Sequence, residues 1–159
     1  IKNNITNKDS MMVLVGIAYR GSDAYLKENQ RMDISGLILA GGWLESMHFS
    51  CEGYKVKPSD PIKFRIAEQK QTLTSLIKIL GMNTGNADVV ELTKQLTDLS
   101  KVYEGVILKY NFVEPTTDTV KKVTYINSTS DVTITDEQLT QISTKIVEIR
   151  NNITNVTKS

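Results

Sequence analysis

The chain has 159 residues, 40% apolar and 23% charged, enough for one packed core and too apolar for bulk disorder. Nineteen Lys and Arg against eighteen Asp and Glu leave a net charge of +1, without the basic excess of a dedicated nucleic-acid binder. One cysteine excludes an internal disulfide and any two-cysteine metal site, and one histidine excludes every multi-histidine site.

The opening Ile1-Lys2-Asn3-Asn4 carries neither the basic nor the apolar region of a signal sequence. Residues 1–7 read as the end of an element that starts elsewhere, so the chain is taken as a single helical domain forming the C-terminal part of a longer protein. Asp9-Ser10 offers side-chain oxygens to the orphan N–H groups of a helix start. Met11, Leu14, Val15, Ala18 and Tyr25 follow helical spacing, giving a first helix over 10–27.

A second helix is expected over 31–54, apolar nearly all round in its middle, which predicts a central buried position. Its run Leu37–Leu44 is far shorter than the ~20 residues of a membrane span. Gly36, Gly41 and Gly42 each cost about 1 kcal/mol relative to Ala in a helix interior. The expectation is that a neighbouring helix approaches closely over Gly36, Ala40 and Gly41. The alternative is a kink or pocket beside Trp43.

Asp60-Pro61 reads as N-cap and first helical residue. Ile62, Ile66, Gln69, Leu73, Leu76 and Leu80 form a heptad seam with one polar interruption, so a third helix covers 60–81. Asn86 can cap a fourth helix over 86–106 carrying Val89, Leu92, Leu96, Leu99 and Tyr103. Val106 to Val113 either extends that helix or lies extended. The β-branched runs Val123–Ile126 and Val132–Ile134 flank the polar stretch Asn127–Asp131, which predicts a small hairpin with all strand confined to 120–135. Thr135 and Gln138 form a capping box for a last helix over 136–155 with Leu139, Ile142, Ile146, Ile149 and Ile153 on one stripe, and residues 151–159 are expected to fray. The fold class is therefore mostly all-α: an up-down bundle of about five helices with one small β-hairpin before the last.

Little in the chain carries chemistry. Glu45 and His48, at i and i+3, match half of a carboxylate-bridged metal motif, which needs a second copy and two further glutamates. Cys51 lies near a predicted helix C-terminus beside Glu52, where a reactive thiolate is disfavoured. There is no nucleophile elbow, phosphate loop or dinucleotide fingerprint. A carboxylate-only enzyme using Glu45 with Glu68 or Glu91 is the remaining catalytic reading. The chain reads as a non-enzymatic helical-bundle protein acting by binding or in a structural role, with no metal and no cofactor; the alternative is a small-molecule sensor or carrier with an apolar pocket near Trp43. Gly41, Gly42, Trp43, Glu45 and His48 are the candidate pocket or packing centre. The partner is an unspecified protein or small molecule, not nucleic acid.

Asn7–Met11, then Leu39-Ala40-Gly41-Gly42-Trp43-Leu44-Glu45-Ser46, then Arg65–Lys70 resemble an uncharacterised family of helical Bacteroidetes proteins in order and spacing. The Leu-Ala-Gly-Gly-Trp run is the specific part. Many members of that family look like exported lipoproteins. The resemblance implies a cell-envelope, periplasm-facing location, with any lipid anchor lying outside this chain, and it implies no activity.

Overall fold

The computed structural model describes residues 7–155. The expected tail element over 1–7 lies outside the described residues except for Asn7; of the end expected to fray, 151–155 belong to the last helix, which runs to Asn155, and 156–159 lie outside the described residues. Five helices and four short strands are present among the described residues. The helices are α1 (Lys8–Glu28), α2 (Met32–Val56), α3 (Asp60–Gly81), α4 (Ala87–Tyr103) and α5 (Asp136–Asn155). The strands β1 (Ile107–Asn111), β2 (Thr116–Asp118), β3 (Val123–Tyr125) and β4 (Thr129–Thr133) lie between α4 and α5.

Capping chemistry fixes most helix starts. Asn86 accepts from the backbone N–H groups of Asp88 and Val89 at 2.9 and 3.4 Å. Thr135 and Gln138 bond reciprocally, each backbone N–H donating to the other's side-chain oxygen, at 2.9 and 3.1 Å. The first helix starts earlier than Asp9-Ser10 implies, because Asn7 is the cap and accepts from Ser10 N. Ser59 rather than Asp60 occupies the cap position of α3, leaving Pro61 in the first turn, where its missing N–H costs nothing.

Four helices, α2 to α5, close the core. Their contacts run α2 to α3, α3 to α4, α4 to α5, and back from α5 to α2. Pairings at opposite ends show that neighbours are antiparallel. Gly36 lies against Leu80 while Trp43 meets Gln69 across α2 and α3. Glu45 meets Arg150 across α2 and α5, and Gln95 meets Asn152 across α4 and α5. This is an up-down four-helix bundle, joined by short loops except between α4 and α5, where the strands intervene. The heptad stripes supply its interior: Ile66, Leu73, Leu80, Leu96, Leu99, Tyr103, Ile142 and Ile146 are fully buried.

The bundle has a different centre from the one the sequence suggests. The second helix is not central. Its buried face is Ser35, Gly36, Ala40, Leu44, Met47 and Cys51, while Ile38, Leu39 and Phe49 are exposed. Close helix approach is realised at Gly36, where an added Cβ would sit 3.1 Å from Leu80 Cδ2, and at buried Ala40. Gly41 does not take part: neither it nor Gly42 has a neighbour within 4 Å of an added Cβ.

Strand is not confined to 120–135. β1 follows α4 directly and pairs antiparallel with β4, from Ile107 opposite Thr133 to Asn111 opposite Thr129. β2 pairs with β3 further out, Thr116 opposite Tyr125. The two predicted runs belong to different ladders of one nested arm, and the reversal is at 119–122, not 127–131. Asp118 Oδ1 accepts from the N–H groups of Val120 and Lys121 there, and Lys122 completes the turn at φ 54°.

Candidate functional site

Trp43 is half-buried on α2 and packs against the core. Its indole N–H donates to Gln69 Oε1 at 3.0 Å. That bond accounts for the polar interruption in the α3 seam, since a partly buried indole N–H left unpaired is costly. Gly41 and Gly42 face open space beside it. Two residues on, Glu45 accepts from Arg150 Nε at 2.6 Å, tying α2 to α5 with both side chains about two-fifths exposed. His48 is half-buried, with a buried Nδ1 that has no hydrogen-bond partner, and its ring lies tilted against Phe49 at 5.9 Å between centroids. The five sequence-picked residues therefore share a helix without converging on one point. Glu45 is engaged by Arg150, and among the described residues no three His, Cys, Asp or Glu side chains gather where an ion would sit.

The carboxylates of the catalytic alternative are separately engaged. Glu68 is paired with Arg65 at 2.7 Å, and Glu91 accepts from Gln95 at 2.9 Å. Cys51 is buried between α2 and α5 beside Ser143, and burial pushes its thiol up to about 11. Such a thiol is protonated and unreactive at neutral pH. Tyr103 is buried, and its hydroxyl donates to the Ile66 carbonyl at 3.0 Å; burial again raises its pKa.

What stands out instead is the first helix. No residue of α1 is buried, although Met11 to Tyr19 is an uninterrupted apolar run. Met12, Val13, Val15, Ile17, Tyr19 and Tyr25 are each 45–66% exposed. A helix apolar all round is normally a buried one. Here α1 rests mainly on the start of α2 and takes no part in closing the bundle. Between them lies a cleft of about 220 Å³ lined by Tyr19, Leu26, Ile38 and Leu39, with the Ser35 hydroxyl buried and unpartnered at its wall. Trp43 does not line it. The stripe Met11, Leu14, Val15, Ala18 and Tyr25 marks α1 as a helix in the sequence, without saying whether that face is covered. The apolar residues off that stripe, Met12, Val13 and Ile17, are the signal that more than one face of α1 is apolar.

No protein-family model matches the chain, and no curated protein or solved structure shows significant similarity to it. Among the described residues, no helix is long and apolar enough to cross a membrane.

Proposed function

We propose that this chain is a non-enzymatic helical-bundle protein of the bacterial envelope that works by protein association, with α1 and the open side of α2 as its contact surface. The observation that carries this reading is the apolar helix α1 with no buried residue. Exposed apolar surface on this scale, rimmed by charge at both helix ends, is characteristic of interaction sites. The engaged carboxylates and the buried thiol leave few side chains in place for chemistry, which favours association over catalysis. The envelope location rests on the Leu39–Ser46 resemblance, and fractionation of the host organism tests it separately. The carrier reading centred on Trp43 has less support, because that indole packs on the core with its N–H taken by Gln69.

Site-specific photo-crosslinking in the host tests the surface. A photoreactive side chain at Tyr19 should give a discrete adduct. The same group at Val90, an equally exposed apolar position on α4, diagonal to α2 in the bundle, should give none. Adducts from Val90 alone, or from neither position, would refute the assignment.

A further inference from the structure

We propose that the far end of α2 borders a binding site for a small, flat, uncharged organic molecule with one hydrogen-bonding group, seated against the Ser143 hydroxyl between α2, α3 and α5. The site is independent of the association surface, since no residue of α1 lines it.

The first argument is the cavity. A pocket of about 460 Å³ opens where the end of α2 meets the start of α5, beside the first turns of α3. Buried Cys51, Ile66 and Leu139 supply its apolar floor, and the rings of Tyr54 and Pro58 line it as well. Small-molecule sites are pockets of about 300–1,000 Å³ with apolar walls and a few placed polar groups, and helix bundles host them between their helices. Ring side chains in the wall favour a flat ligand, which can stack on them.

The second argument is the hydroxyl. Ser143 also lines the pocket, is only 4% exposed, and its Oγ has no hydrogen-bond partner. A helical hydroxyl can turn to a carbonyl of the preceding turn. The neighbours of Ser143 on α5 do so: Thr140 donates to the Asp136 carbonyl at 2.9 Å and Thr144 to the Thr140 carbonyl at 3.0 Å. Ser143 does not. The Cys51 thiol in the same wall is a weak hydrogen-bonding group and leaves it unsatisfied. A buried hydroxyl without a partner is costly, and a polar group on a ligand in this pocket supplies one.

The third argument is charge. Lys55 and Asp136 are the charged residues of the lining, and both are already paired, with Glu52 at 2.7 Å and with Lys63 at 3.5 Å. No unmatched charge among the described lining residues is left to offset the desolvation of an ionic ligand. The pocket therefore fits a neutral molecule.

Titration of the purified chain with naphthol, followed by backbone amide chemical shifts, tests the site. Naphthol is flat, neutral and carries one hydroxyl; naphthalene lacks the hydroxyl, and naphthoate replaces it with a charge. Naphthol should bind saturably, with the shift changes centred on Cys51, Leu139 and Ser143. Naphthoate should bind at least about tenfold more weakly, because its charge finds no partner. Ser143→Ala should weaken naphthol by about five- to tenfold, the worth of one neutral hydrogen bond, and leave naphthalene within about twofold of wild type. The same substitution should raise the unfolding midpoint of the free protein, since alanine is the better helix former and an unpaired hydroxyl is removed. No saturable naphthol binding tighter than about 1 mM overturns the proposal. So do shift changes centred on the cleft between α1 and α2, a naphthoate affinity equal to that of naphthol, or a Ser143→Ala variant that binds naphthol as wild type does. A lowered midpoint in Ser143→Ala also overturns it, because the hydroxyl would then serve the fold. None of these outcomes touches the association reading, which the crosslinking at Tyr19 decides.

Discussion

Gly36 and Gly41 lie five residues apart on α2, and replacing each by alanine should move stability in different directions. Helix propensity alone favours alanine by about 1 kcal/mol at either site. At Gly41 nothing lies within 4 Å of the new Cβ, so the whole gain should appear. For a chain of this size that corresponds to roughly 2–4 °C in Tm. At Gly36 the new Cβ would stand 3.1 Å from Leu80 Cδ2, inside the ~3.5–4.0 Å at which carbon atoms pack best. Leu80 is fully buried, so it can give way only by shifting other core side chains. Overpacking of that kind costs about 1–3 kcal/mol, enough to cancel or reverse the propensity gain. Gly36→Ala should therefore be neutral to destabilising, and the two variants should differ by at least about 1 kcal/mol. Urea unfolding followed by Trp43 fluorescence is a suitable assay, because that indole is half-buried and bonded across to α3. Equal midpoint shifts would refute the packing argument at Gly36. A loss of stability in Gly41→Ala would show that a neighbour covers Gly41 after all.

Two further outcomes follow from buried and strained groups. The folded-state value of Cys51, about 11, lies above its ordinary 9.0, so its contribution is complete below pH 9 and is lost as pH rises towards 11. The urea midpoint should fall across that window, less steeply in Cys51→Ala, and parallel curves for the two proteins would contradict the assignment. Lys122 holds φ at 54°, a region that costs a side chain roughly 1 kcal/mol and glycine nothing. Lys122→Gly should slow amide exchange in β2 and β3 without changing global stability, and unchanged exchange there would argue against strain at the turn.

The sequence made one class of feature plain. The stripes of α3, α4 and α5 bury most of the residues their spacing selects, with Ile62 and Gln69 half-buried and Ile153 exposed, because an amphipathic helix in a bundle has a single inward side and a period of 3.6 reveals it. The Asn86 cap and the Thr135–Gln138 box were readable because both ends of each bond lie within three residues. The face of α2 was not readable. Leu37, Ile38, Leu39 and Leu44 are all apolar, so the pattern carries no direction, and only Ala40 and Leu44 of that segment are fully buried. Gln69 looked like a flaw in its seam until the indole it serves, 26 positions away, was located. In the β-arm, β2 and β3 have almost no buried residues, so no alternation marks their register. The polar run Asn127–Asp131 imitated a turn, while the actual reversal was signalled by Asp118 and its two acceptor bonds. Among the candidate site residues, Trp43 and Glu45 were singled out by type, but their partners Gln69 and Arg150 could come only from the tertiary arrangement.

The arm between α4 and α5 has a consequence for how the bundle assembles. Joining two antiparallel helices through an excursion of about 30 residues would ordinarily carry the closure entropy of a loop that long. The paired strands change the effective length. The order of closure that costs least entropy takes the reversal at 119–122 first as a short local loop, then β2 onto β3, then β1 onto β4 down to Ile107 and Thr133. By that stage the end of α4 and the start of α5 are already side by side, and Lys70 of α3 reaches the root through the carbonyls of Glu104 and Val106. Since each halving of loop length saves about 0.6 kcal/mol, the zipper relieves α4–α5 docking of roughly 2 kcal/mol of closure cost. The longest connection in the chain thereby behaves, kinetically, like a short one.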